Sequence, residues 1–220
     1  PYGLGQTVRF KKDFGPLLGE VDDIDLQKVS HESFKEKINP VYKSMNKLSN
    51  ILKDKEKNLI GFVGAPWTIM VYMLNQQSPK KELSRSLFNK KSKDDIINII
   101  VKYLKIHIKE QINSGANLIQ IFDSWAGLAE SFDIKKYIYE STAELVEFTK
   151  SLGVPVICFP REINDYKKYV DEVLPDAINI DYNVDIKYIL RSLKIPVQGG
   201  LDPKHLLGDK ENLKKETFKL

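Results

Sequence analysis

Five short apolar runs, separated by longer segments with helical spacing, constrain this chain more than any other feature. They are "LIGFVG" (59–64), "NLIQIFD" (117–123), "VPVICFP" (154–160), "AINID" (177–181) and "IPVQGG" (195–200). They are rich in Val, Ile and Phe, and the first three are bounded by Gly or Pro, so they read as strands buried on both faces. Helices fit between them. Across 94–113, Ile96, Ile97, Ile100, Val101, Leu104 and Ile108 fall on one helix face, with Gly115 as the stop. Residues 134–152 repeat the pattern with Ile138, Leu145, Val146 and Leu152; Asp133 is the candidate N-cap and Gly153 the end. Segments 164–174 and 185–193 are shorter copies. Residues 31–53 are mostly helical, with Pro40 interrupting them.

Strand and helix in alternation imply a parallel sheet with right-handed crossovers. Such a sheet is either open and doubly wound or closed into a barrel. An open nucleotide-binding sheet favours a Gly-rich turn after a strand, and "GGLDP" (199–203) matches neither G-x-G-x-x-G nor the P-loop. The expected fold is therefore an α/β TIM (β/α)8 barrel, incomplete in this chain, with residues 1–220 forming a single domain. A barrel aims the C-terminal ends of its strands at one mouth. Here those ends carry "APWT" (65–68), "FDSW" (122–125), "PRE" (160–162), Asp181 and "GGLDP". Asp181 alone fits the N-cap of the next helix. "FDSW" resists that explanation, because Asp123 and Ser124 come well before the next clear helix.

Composition closes off several classes of function. No apolar run approaches the ~20 residues that span a bilayer, and no basic, then apolar, leader opens the chain. The single cysteine, Cys158, excludes a disulfide framework and a multi-cysteine zinc site. His31, His107 and His205 match no metal-ligand spacing. A reducing, cytoplasmic setting is expected, with no membrane partner. The net charge of +4 reads as a solvated Lys surface, and no aromatic-basic patch points to nucleic acid. Both ends read as cut: the chain starts at Pro1 and stops inside a helical pattern at Leu220.

Five stretches together resemble the uroporphyrinogen decarboxylase family. They are "LGQTVRFKKDFGPLL" (4–18), "GFVGAPWTIMVYML" (61–74), "IQIFDSWAG" (119–127), "PVICFPR" (155–161) and "VQGGLDP" (197–203). They stand in the family's order and span nearly the whole chain. Three departures stand out: Gly200 where the family usually has Asn, Tyr182 where it usually has Trp, and "NQQSPK" (75–80) where it usually has a Gly-rich turn.

The resemblance implies a single (β/α)8 barrel, a homodimer, no metal and no organic cofactor. It implies removal of the carboxyl groups from the four acetate side chains of uroporphyrinogen, giving coproporphyrinogen. Tyr72, in "PWTIMVYM", is expected near the reacting acetate. Ser124 is expected to contact substrate, and Phe122 to line the cleft floor. Taken alone, Tyr72 reads as a helix-face aromatic and Ser124 as a capping hydroxyl. Trp67 and Trp125 read as packing, and Asp123 as a residue that orients the loop. The family's key carboxylate precedes the Pro that here is Pro1, so the resemblance places no catalytic Asp within the chain. Its substrate-binding Arg residues match none of Arg9, Arg85, Arg161 and Arg191. Residues 1–220 alone are therefore expected to be inactive. Two other readings stay open: a non-catalytic porphyrin-binding or interaction protein on a degenerate barrel, and a corrinoid-dependent methyltransferase using a zinc-bound thiolate.

Overall fold

The computed structural model describes residues 1–12, 15–79, 83 and 92–220. The chain opens with a hairpin that the apolar runs did not signal. Strand β1 (Val8–Lys11) pairs antiparallel with β2 (Gly15–Leu18). Asp13 and Phe14, between the two strands in sequence, lie outside the described residues, as do Lys80 and Arg85. The hairpin is tied down by Gln6, whose Nε2 donates to Gly19 O (2.8 Å) and Met73 O (2.9 Å).

Helix α1 (His31–Leu52) follows, N-capped by the Ser30 hydroxyl. It runs unbroken through Pro40, contrary to the expected interruption. Pro40 and Glu36, whose carbonyl loses its N–H donor, are both exposed. The freed carbonyl therefore lies on the solvent side, where the loss costs least. Next come β3 (Ile60–Gly64) and α2 (Pro66–Asn75), which starts with Pro at its first position, where a missing N–H does no harm. Helix α3 (Lys93–Asn113) is capped by Ser92 and leads past Gly115, at φ +104°, into β4 (Leu118–Asp123).

Residues Ser131–Asp133, a π-helical stretch Ile134–Glu140 and α4 (Ser141–Ser151) then form one continuous run. Asp133 is not its cap. The run starts two residues earlier, and the Asp133 carboxylate is taken by Lys93 Nζ at 2.8 and 3.0 Å. The chain continues through β5 (Val156–Pro160), α5 (Tyr166–Val173), β6 (Ala177–Ile180), α6 (Ile186–Ser192), β7 (Val197–Gly199) and α7 (Lys210–Thr217).

Strands β3 to β7 form one parallel sheet whose spatial order is their chain order. A doubly wound sheet reverses its order at a switch point. Here each described strand pairs with the next in the same direction, as around a (β/α)8 barrel, so the chain is an incomplete barrel. The two faces of the sheet differ. Ile119, Ile121 and Asp123 of β4 stand beside Val156, Cys158 and Pro160 of β5, and all six are buried toward the helices. The opposite face carries Ile60, Phe62, Gln120, Phe122, Ile157 and Phe159. Ile60 and Phe62 are exposed there, Phe62 to 66%. The expectation of burial on both faces thus fails for β3, and also for β7 (Val197–Gly199), where Gln198 and Gly199 are exposed. The free edge of β3 is also managed: the buried carboxamide of Gln111 on α3 accepts from Phe62 N (3.0 Å) and donates to Phe62 O (3.0 Å).

Candidate active site

The ends of β3, β4, β5 and β6 converge through backbone bonds across the sheet. Ala65 N donates to Phe122 O (2.8 Å) and Arg161 N donates to Asp123 O (3.1 Å). Gly127 N donates to Arg161 O (3.1 Å), folding the loop after β4 onto the end of β5. A Cβ at Gly127 would stand 2.8 Å from the Glu162 carbonyl oxygen, so this approach depends on glycine. Glu162 itself takes a left-handed turn at φ +61°. Its N–H donates to Asp181 Oδ2 (2.6 Å), which also accepts from Tyr166 Oη (2.8 Å). Asp181 is therefore not an N-cap. That role falls to Asp185, whose carboxylate accepts from Tyr188 N (3.1 Å). Asp181 instead locks the β5 and β6 ends together.

Within this frame the expected site residues fall as follows. Phe122 is half-buried on the open face, between Phe62 and Phe159, with ring centroids 6.1 and 6.2 Å away and planes nearly perpendicular. Such edge-to-face stacking fixes the ring and leaves an apolar floor. Ser124 follows directly after β4, half-buried, and its hydroxyl has no partner among the described residues. Tyr72 sits on α2, also half-buried, with its ring edge-on to Trp125 at 6.2 Å. Phe122 and Ser124 are thus two residues apart on one strand end, and Tyr72 is brought to them through Trp125.

Both tryptophans are buried, as expected of packing residues. They also bond. Trp67 Nε1 donates to Trp125 O (2.8 Å), and Trp67 stacks on Tyr137 of the π-helical stretch at 6.2 Å. Trp125 Nε1 is buried with no partner among the described residues.

Asp123 faces the helices rather than the open face. Its Oδ1 accepts from Thr68 Oγ1 (2.6 Å), and Thr68 Oγ1 in turn accepts from Trp125 N (3.1 Å). Asp123 Oδ2 is buried without a partner. Burial pushes the Asp123 carboxyl up to about 7, against the pull of the Thr68 hydroxyl and backbone N–H. Thr68 belongs to the "APWT" stretch, but its link to Asp123 spans 55 residues and left no local signal.

Elsewhere, Cys158 is fully buried on the helix side of β5, and its thiol is pushed up to about 12 by burial, so it is no thiolate. His107 pairs with Tyr42 Oη (3.0 Å) between α1 and α3 and is held down to about 4 by burial, hence neutral. Among the described residues no three His, Cys, Asp or Glu side chains gather as a metal site, and no helix is long and apolar enough to cross a membrane.

Sequential parallel strands whose ends meet at one mouth, floored by edge-to-face aromatics, describe part of a (β/α)8 barrel. Comparison with known proteins makes the class specific: the uroporphyrinogen decarboxylase (URO-D) family matches residues 1–220, and the chain belongs to that family. It is 36% identical over 227 residues to the uroporphyrinogen decarboxylase of Rickettsia bellii, covering 100% of this chain and 66% of that protein. It is 35% identical over 220 residues to the Wolbachia pipientis enzyme of the same name, covering 99% of this chain and 64% of that protein. The chain thus spans just under two thirds of the length of these relatives. A methyltransferase from Methanosarcina mazei shares the fold, with a TM-score of 0.60 at 15% identity over 99% of this chain and 75% of that chain.

Proposed function

We propose that this chain is the central part of an enzyme that decarboxylates the four acetate side chains of uroporphyrinogen III to give coproporphyrinogen III in porphyrin and haem synthesis. The observation that carries the proposal is that Phe122 and Ser124, two of the positions the family resemblance singles out, stand half-buried at the end of β4, and that the third, Tyr72, also half-buried, packs edge-on against Trp125 beside them. The reaction needs an electron sink for the carbanion left by CO2. A pyrrole protonated at a ring carbon supplies one from within the substrate, so no organic cofactor or metal is invoked. The site's work is to hold carboxylates and stabilise the transient cation. Ser124 and Tyr72 serve the first task as hydroxyl donors to carboxylate oxygens, and the Phe122 face excludes water beneath the ring. The carboxylate for the second task stands, on the family pattern, upstream of Pro1.

The same reading makes residues 1–220 one domain of a cytoplasmic homodimer that binds neither nucleic acid nor membrane. A zinc-thiolate methyltransferase is disfavoured, since Cys158 faces the helices and is held as a thiol.

The test is Tyr72→Phe and Ser124→Ala in a full-length protein containing this chain. Each removes one hydroxyl, and a hydrogen bond to a charged group is worth about 1.5–3 kcal/mol, or about ten- to a hundredfold in rate. Unchanged turnover and binding in both would remove these residues from the site.

A further inference from the structure

Ser124 and Trp125 leave β4 with neither glycine nor proline at the exit itself; Gly127, which seats the loop on the end of β5, comes two residues later. What sets their path lies behind them. Thr68 Oγ1 donates its single proton to Asp123 Oδ1 (2.6 Å) and accepts from the backbone N–H of Trp125 (3.1 Å). A hydroxyl has one proton to give, and a backbone N–H such as that of Trp125 can only donate, so the proton goes to Asp123 Oδ1. Asp123 therefore turns the Thr68 proton toward itself and leaves a lone pair facing Trp125. All three residues are buried: Thr68 is 6%, Asp123 1% and Trp125 9% exposed. Thr68 also stands one turn before Tyr72 on α2, so it is on the helix face that carries Tyr72. The Tyr72 ring in turn meets Trp125 edge-on. One hydroxyl thus joins the strand end, the loop that carries Ser124 and the helix that carries Tyr72.

We infer that Asp123 and Thr68 are positioning residues: they fix where Ser124, Trp125 and Tyr72 stand relative to one another. This inference rests on the assignment of Ser124 and Tyr72 to the substrate site. It goes further in explaining why β4 ends in an acid, although that acid points away from the open face.

The experiment uses a full-length protein containing this chain, with Thr68→Val, Thr68→Ala and Thr68→Ser. Amide hydrogen exchange is followed at Trp125, with Ile119 and Ile121 as fold controls, beside kcat and KM for uroporphyrinogen. Thr68→Val is expected to speed exchange at Trp125 by about tenfold or more while Ile119 and Ile121 stay protected. It should lower kcat by about ten- to a hundredfold, with KM less affected. Thr68→Ala should behave alike; being smaller, it settles the matter if valine unfolds the protein. Thr68→Ser keeps the hydroxyl and should restore both readouts.

Faster exchange at Trp125 with kcat unchanged would overturn the inference, as would unchanged exchange in both the valine and alanine variants. A serine variant as impaired as valine would overturn it too, by assigning the effect to the methyl group. If Ser124→Ala and Tyr72→Phe leave turnover intact while the Thr68 variants still loosen Trp125 and slow the enzyme, the substrate-site assignment fails and the positioning of the loop stands.

Discussion

Replacing Asp123 by Asn should flatten a pH dependence of stability that the native carboxyl imposes. Asp123 is 1% exposed and its pKa rises from 3.8 to about 7 on folding. Between those values the native protein holds a proton that the unfolded chain has released. At this site the native state therefore binds more protons, and the contribution of Asp123 to stability falls as pH rises from about 4 to about 7, then levels off; the opposite contribution of His107 is common to both proteins and cancels in their difference. A rise of about three pH units at about 1.36 kcal/mol each gives a fall of about 4 kcal/mol. The groups facing Asp123 are Thr68 from α2, Cys158 from β5 and Tyr169 from α5. Burial holds Cys158 and Tyr169 neutral through this range, so neither masks the titration. Asparagine keeps a carbonyl for the Thr68 hydroxyl but carries no proton to lose. Its amide nitrogen falls where Oδ2 has no partner, so the variant pays a roughly pH-independent cost of about 1–3 kcal/mol. Urea unfolding of both proteins from pH 4.5 to 8 measures the difference. The native protein should be the more stable at the acid end and lose its lead toward pH 8. A difference that stays constant across the range, or that grows with pH, would refute the reasoning.

Three further outcomes follow from the same structure. Cys158→Ala should leave turnover intact, because the thiol is buried on the helix side of β5; substrate-protected inactivation by alkylation, with the fold preserved, would contradict this. Gly127→Ala should destabilise by about 1–3 kcal/mol in thermal unfolding, because its Cβ would press on the Glu162 backbone, while Gly153→Ala meets nothing within 4 Å and pays only for its positive φ. On the proposed function, residues 1–220 expressed alone should form no coproporphyrinogen, whereas a longer form that carries a carboxylate upstream of Pro1 should; comparable rates from both would place the chemistry on Tyr72, Ser124 or Asp123.

How much of this was legible in the sequence depends on the range of the interaction that decides each feature. All five parallel strands were, because Val, Ile and Phe runs punctuated by Gly or Pro carry a local signal. Their helices were too, to within a few residues. Pro40 misled because its effect turns on whether the freed carbonyl faces solvent, which helix packing decides. Asp133 misled because its carboxylate found Lys93 on another helix, 40 positions away. The hairpin β1–β2 escaped because it is only half-buried and lacks a clean alternation. At the site, Phe122, Ser124 and Tyr72 are singled out by a resemblance rather than by physics. The Thr68–Asp123 bond and the Asp181 lock were not legible, since each joins residues brought together only when the strands align. The departure at Gly200 is intelligible after the fact. It sits at φ +90°, and Asn is the other residue type that enters left-handed backbone readily, so the two meet the same demand.

Gln111 bears on how such a barrel comes together. Its carboxamide imitates a peptide group, offering the outer edge of β3 one acceptor and one donor at Phe62 where a neighbouring strand would offer the same pair. A bare strand edge recruits any extended chain it meets. Here the middle rung is already occupied by a side chain, and Gly61 beneath it leaves the room, since a Cβ there would stand 2.9 Å from the Gln111 oxygen. Gln111 therefore takes the place of a neighbouring strand at that rung and leaves an incoming chain less to pair with. Gln111→Leu should leave the finished sheet standing but increase intermolecular strand pairing during refolding, seen as light scattering that grows with protein concentration.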